Sequence, residues 1–268
     1  MFAHVREQVD SEAMAPRHHR RHLLLLLLLS GSALSACRGE SEQERQQKAL
    51  LKSVQRLLET RECAGCDLTG AQLEGADLEG ARLAGATLES AKLARARLRN
   101  ADLSGAILGG ADARGADLRG ARVDGASFGA AQFQGAILEG LDLRKVTELP
   151  SANFEGANLR GVNLEGASLT GMGGSYRPSE RWHAYSVPAG GAWLVRADFT
   201  GAKLRFTVLA RSNLEGAIFR DADLRDATLT HSNLKDVELQ GARLYDATWE
   251  DGHKCTSRAK GSCHPAPR

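Results

Sequence analysis

From Leu68 onward an apolar side chain returns every fifth residue, and a small one, nearly always Ala, stands two places before it. CDLTGAQLEGADLEGARLAG, residues 66–85, is four such five-letter words. Their centres run in steps of five from Leu68 to Leu143, with Ala113, Val123, Phe128 and Phe133 in place of Leu. The frame slips by one around Leu149-Pro150, resumes at Phe154, Leu159, Leu164 and Leu169, and continues after an interruption from Leu194 to Trp249. That gives runs of 16, 4 and 12 words. No ordinary element has this period. On an α-helix each successive centre would be rotated by about 140°, and an odd period on a strand would send alternate centres to opposite faces. The chain must turn once per word, with Ala and Leu on one inward side and Gly at the word's end to free φ for the corner. Four such sides close a square, so residues 20 apart should share a wall. Ala113 and Phe133 then fall on one column, and the Phe133 ring is expected to lean into the gap left by Ala113.

The words ADLEG (76–80), ADLSG (101–105), ADLRG (116–120) and ANLRG (157–161) resemble the pentapeptide-repeat family, whose consensus is A-(D/N)-L-x-x. The resemblance covers about 66–250 and implies an all-β fold, a right-handed quadrilateral parallel β-helix with four words per coil. Eight coils stacked at the inter-strand spacing would measure about 38 Å. Neighbouring coils would bury each other's Leu layer, at about 1.5–3 kcal/mol per enclosed side chain.

A solenoid needs closed ends. Leu50, Leu51, Val54, Leu57 and Leu58 fall on one helical stripe, which predicts a short amphipathic helix over 46–60 in a capping segment, 49–65. At the other end Trp249, the last inward position, is expected to act as a lid, with a C-terminal cap and tail over 251–268. Locality suggests two disulfides, Cys63–Cys66 and Cys255–Cys263, one at each end. Similar C-x-x-C-D-L openings and W-x-D-G…C…C closings occur in relatives of the family, matched here by CAGCDL (63–68) and WEDGHKCTSRAKGSC (249–263). A thioredoxin-like reading of Cys63–Cys66 lacks its βαβ context. A zinc site joining both ends through His253 or His264 would need ligands a whole solenoid apart. The expectation is therefore no metal and no cofactor.

The N-terminus reads as an address. RHHRRH precedes seven leucines, Leu23–Leu29, a run too short to span a bilayer and suited to the core of a signal peptide over 1–36, with Met14 as an alternative start. Leu34-Ser35-Ala36-Cys37 resembles the lipobox of bacterial lipoproteins, which implies cleavage before Cys37 and lipidation of its thiol. Residues 37–48 are polar and read as a lipidated tether. Arg38 stands after Cys37 where an Asp would signal inner-membrane retention, so the expected address is the bacterial envelope, outer membrane rather than inner.

Function is far less legible. The formal net charge is +2, and residues 66–250 hold 21 Lys+Arg against 24 Asp+Glu, so no strong field selects nucleic acid. An irregular insertion over about 171–192 carries Tyr176, Arg177, Trp182, His183 and Tyr185, with Trp193 at its exit. Such residues dominate binding hot spots, so together they form a candidate interaction loop. No nucleophile with a supporting base is apparent, and an interior of Leu and Ala offers no pocket, which argues against an enzyme. The expected role is a non-enzymatic, membrane-anchored scaffold or protein-interaction surface meeting a protein or envelope polymer, with an end-to-end homodimer as one arrangement. The alternative, a DNA-mimicking protector of a topoisomerase such as gyrase, needs an acidic surface and a cytoplasmic location.

Overall fold

The computed structural model describes residues 40–147, 149, 151–170, 191–256 and 261–263. Two compact units are distinguished, Met1–Arg45 and Gln46–Arg268. The described part of the first is residues 40–45, where Ser41 starts a helix. Its Oγ accepts the Glu44 N–H at 3.2 Å while its own N–H donates to Glu44 Oε2 at 2.9 Å, so two end groups are satisfied reciprocally.

That box explains where α1, Glu42–Thr60, begins: inside the polar stretch expected to be a tether, because capping does not depend on apolar periodicity. Leu57 is fully buried, and Leu50 and Val54 pack against the core. Leu51 and Leu58 stay exposed, so the buried stripe is narrower than expected. Arg61, at φ 63°, bends the chain out of the helix, its N–H donating to Leu57 C=O at 2.9 Å.

Among the described residues, the second unit continues after α1 as a β-helix solenoid. Parallel bridges join residues 20 apart, as in Asp67↔Thr87↔Ile107↔Ser127, so four words make one coil and the coil has four walls. Asp112 bridges Gln132, which puts Ala113 and Phe133 on one wall. The Phe133 ring stacks on Phe154, one coil later, at 5.2 Å and lies 4.9 Å from Phe128 on the adjoining wall. Each word contributes a single bridged residue rather than an extended strand, because a turn must follow at once.

One word shows how the backbone is satisfied. Ala101 N–H closes a turn onto Leu98 C=O; Asp102 donates back to Ala81; Leu103 and Gly105 donate forward to Arg122 and Asp124. The fifth N–H, of Ser104, has no backbone partner and donates to Asp102 Oδ1 at 3.1 Å. The Asp or Asn before the central Leu is therefore a structural brace: it supplies the acceptor that the coil cannot.

Two further centres join the set. Cys63 is fully buried beside the bridge Glu62↔Arg82, so the coil opens one word earlier than Leu68. Leu149 is buried, and Ala152 N–H closes a turn onto its carbonyl. Thr147 still donates to Ala126 in the old frame, whereas Gly125 already reaches Lys145, one residue beyond its regular partner, and Gln132 bridges Asn153 at 21, so the frame slip is absorbed between Lys145 and Leu149. The insertion leaves the stack intact: Asn153, Asn158, Asn163 and Ser168 bridge residues 40 further on, one coil above. At the far end the chain folds back, Thr248 pairing antiparallel with Lys254, and Trp249 packs partly buried against the last layer. That hairpin covers an edge that would otherwise present unpaired N–H and C=O groups.

Candidate functional site

The interior leaves little for chemistry. Its buried residues are Leu, Phe, Val, Ala and Cys, and the buried polar ones among the described residues are Asn153, Thr207, Ser212, Asn213 and Ser232. The three hydroxyls face backbone: Thr207 Oγ1 donates to Leu164 C=O, Ser232 Oγ to Leu209 C=O, both at 2.8 Å, and Ser212 Oγ accepts from Ala192 N–H. Each substitutes for an inward Ala and finds a carbonyl or amide of a neighbouring segment. None converges with another on a common point.

Reactive and recognition groups therefore sit outside, in two places. The first is one corner of the later coils. Arg205 stands over the Phe206 ring at 4.5 Å and donates through Nε to Asp226 Oδ2 at 3.0 Å. Phe206 N–H donates to Arg225 C=O and Asp226 N–H to Tyr245 C=O, so Phe206, Arg225 and Tyr245 occupy successive layers. Phe206 is 49% exposed and Tyr245 37%. Phe206 takes φ 59° at a corner, an unfavourable conformation for a bulky side chain. An aromatic in the fifth place of AKLRF (202–206), where Gly is usual, is the signal that sequence reasoning passed over.

The second place is the pair of ends. Cys63–Cys66 and Cys255–Cys263 are both disulfide-bonded. Their surroundings differ. Arg56 Nη2 lies 3.1 Å from Cys66 Sγ, whereas Cys263 Sγ has His253 Nε2 at 3.2 Å. The other ring nitrogen of His253 is held by the Asp251 carboxylate, which also accepts the His253 backbone N–H at 3.1 Å.

The pentapeptide-repeats family model matches residues 62–100, 81–120, 114–147, 147–171, 190–221 and 222–248, which together take in more than half of the chain. The chain belongs to the pentapeptide-repeat family. No curated protein matches it. Among solved structures it is similar to HetL, a pentapeptide repeat protein involved in heterocyst differentiation regulation from the cyanobacterium Nostoc. Identity is 26%, over 72% of this chain and 91% of that one, with a TM-score of 0.30. It is also similar to QnrB1, a plasmid-mediated fluoroquinolone resistance protein, at 22% identity over 68% and 78% of the two chains and a TM-score of 0.22. A pentapeptide repeat protein of the Arabidopsis thaliana thylakoid lumen matches at 22% identity over 67% and 72%, with a TM-score of 0.14.

In this pentapeptide-repeat protein the candidate residues read from the sequence part company. Cys37, Tyr176, Arg177, Trp182, His183 and Tyr185 lie outside the described residues. Trp193 stands in a wall, bridged to Asn153 below and Asn213 above, and is half-buried. It occupies a regular outward place in a repeat word, so it belongs to the solenoid face and not to a loop. The acidic braces are electrostatically distinct. Asp67 is held below the usual carboxylate range by hydrogen bonds from Thr69, and Asp112, Asp117, Asp142 and Asp223 by hydrogen bonds from Arg114, Arg119, Arg144 and Arg225 respectively. These Asp–Arg pairs are bidentate and lie within a single word, for example Arg119 Nε and Nη2 on the two oxygens of Asp117 at 2.9 and 2.6 Å. Such pairs keep the side chains lying along the wall rather than projecting as a field of one sign.

Proposed function

We propose that this protein is a non-enzymatic scaffold or protein-interaction surface, a right-handed quadrilateral β-helix tethered by a lipidated Cys37 to the bacterial envelope, on the outer membrane. The observation that carries the non-enzymatic half is the apolar interior, where, among the described residues, the buried hydroxyls of Thr207, Ser212 and Ser232 are each bonded to backbone. Recognition is then left to the exterior, and the Phe206–Tyr245 corner and the aromatic insertion are its two best-equipped parts. Residue types there, aromatics beside Arg, are those that anchor protein interfaces. The anchor half rests on the Leu23–Leu29 run followed by the lipobox-like Leu34–Cys37. Several acyl chains would hold the protein stably where one would not.

Metabolic labelling with a fatty-acid analogue and membrane fractionation test the tether. Label and membrane association should both disappear in Cys37→Ser, and a soluble cytoplasmic pool of the wild type would overturn the address. Pull-down from membranes with the wild type, Phe206→Gly and a form lacking 174–190 tests the surface. Equal partner recovery by all three would remove both recognition elements.

A further inference from the structure

We infer that the C-terminal cap is a thiolate–imidazole site for a zinc-like cation whenever its disulfide is reduced. Ligand atoms of His253, Cys255 and Cys263 all lie within 4.8 Å of one another, from a single stretch of chain at one end of the coil. Two sulfurs and one imidazole are the donor set that soft and borderline cations prefer. His253 is already oriented as a ligand: Nε2 points to Cys263 Sγ at 3.2 Å, and the Asp251 carboxylate holds Nδ1. That carboxylate–His order is the outer-shell arrangement that fixes the tautomer and raises imidazole basicity in metal sites. Cys255 is fully buried and its backbone is fixed by bonds with Ala247 and Asp246, while His253 and Cys263 are partly exposed. A fourth ligand, water for instance, can therefore arrive from the solvent side.

The other end shows what is lacking when such a site is absent. Cys66 has the Arg56 guanidinium at 3.1 Å, a fixed positive charge with no lone pair to offer. The two disulfides are thus not equivalent.

The chemistry closes as follows. A dithiol reductant delivers two electrons and two protons to Cys255–Cys263 and leaves as its own disulfide. The cation then displaces both thiol protons and accepts the neutral Nε2 lone pair, with the Nδ1 proton retained toward Asp251. With Zn–S near 2.3 Å, a tetrahedral site holds its sulfurs about 3.8 Å apart, a separation that a rotamer change at one cysteine supplies. The cap is closed by a covalent bond under oxidising conditions and by a metal under reducing ones. This holds in either compartment and does not rest on the envelope reading.

The test uses the full chain carrying Cys37→Ser, Cys63→Ser and Cys66→Ser, so that Cys255 and Cys263 are the remaining cysteines. It is reduced with a phosphine, titrated anaerobically with Zn²⁺ against a chromophoric chelator, and examined with Co²⁺ as a spectroscopic probe. One zinc per reduced chain, none per oxidised chain, and a sulfur-to-cobalt charge-transfer band are expected. His253→Asn should weaken binding at least tenfold, and Asp251→Ala about 10–100-fold, as outer-shell losses do. Because removal of Cys63–Cys66 loosens the N-terminal cap in one outcome, the reduced chain with all its cysteines is compared with its His253→Asn form, which should show the same loss of zinc affinity, at least tenfold. Absence of zinc in the reduced chain, or affinity indifferent to His253→Asn, overturns the inference.

Discussion

The coil on either side of the frame slip is one fold written in two dialects. Before Leu149 its corners are mostly Gly, from Gly65 to Gly140, with Ser90, Arg95, Asn100 and Ala130 as substitutes. From Arg196 to Asp246 the corners are Arg196, Phe206, Arg211, Asp221, Asp226, His231, Asp236 and Asp246, with Gly at 201, 216 and 241. All share the same positive φ. The stacked coil imposes that conformation, and Gly lowers its cost without causing it. The braces change as well. In the first half Asp67, Asp77, Asp102, Asp112, Asp117 and Asp142 accept the unpaired N–H of their words. In the second, Asn153, Asn158, Asn163, Asn213 and Asn233 do the same, alongside Asp198 and Asp223. The first half is thus relaxed but charged at its braces. The second is strained at its corners, and there the exposed Phe206 and Tyr245 are found.

The largest effect separates the halves at their junction. A Cβ on Gly191, which opens the later coils, would lie 1.8 Å from Arg211 C=O, a backbone atom that cannot step aside. Gly191→Ala should cost about 3 kcal/mol or more, in the range of exceptional single substitutions. Because repeat stability is close to a sum of nearest-neighbour terms, hydrogen exchange should quicken over 191–256 well before it does over 63–140. Gly65→Ala is the control. Nothing lies within 4 Å of its Cβ, so the positive φ alone should cost about 1 kcal/mol. Equal losses at the two sites would show that the junction is not the weak point.

Acid should attack the other half. Asp67, Asp77, Asp102, Asp112, Asp117 and Asp142 are held below the ordinary value of 3.8. Hydrogen bonds to the charged form are the leading cause, from Thr69 at the first, the Glu79 N–H at the second, and Ser104, Arg114, Arg119 and Arg144 at the others. The native state therefore binds fewer protons than the unfolded chain below about pH 4, and stability rises with pH there. The contribution is complete above 3.8 and is lost as pH falls through the depressed values. Exchange or proteolysis should open the first half at lower acidity than the Asn-braced second. Asn at all six positions keeps the acceptor and should flatten that dependence, whereas Ala should cost about 1 kcal/mol per brace at neutral pH. A first half that outlasts the second in acid would sink this reading.

How much of this was legible follows the physics. The period-five register depends on composition repeated many times, so the inward Leu columns and the common wall of Ala113 and Phe133 could be read directly. Cys63 and Leu149 were passed over as word centres because the first lacks an Ala before it and the second falls on the slipped frame. The early start of α1 rests on one reciprocal pair, Ser41 and Glu44, inside a run with no apolar rhythm. The brace was visible as a consensus letter, but its purpose emerges only when the five N–H groups of a word are assigned. His253 beside Cys263 depends on a fold-back at the last coil, Thr248 against Lys254, that no periodicity announces.

A smaller effect returns to the corners. Phe206→Gly removes an aromatic side chain that is already half in water, so little burial is lost, and it relieves the positive φ. The protein should gain about 1 kcal/mol and melt a few degrees higher, while any partner gripping that corner is lost. Gain in stability with loss of binding is the signature of strain retained for recognition. Loss of both would mean that Arg205 and Phe206 instead help hold the coil.

The smallest effect concerns the charges between coils. Arg97 reaches both Glu79 at 2.9 Å and Asp77 at 3.7 Å and looks like a clamp across layers. Its side chain is 56% exposed, its partners 42% and 49%, and water screens such pairs. Arg97→Ala should shift stability by less than about 0.5 kcal/mol, with no added loss in high salt. If it costs several times that, the outer ladder would share the load with the Leu columns. The two halves would then differ in how they cohere, and not only in how they turn their corners.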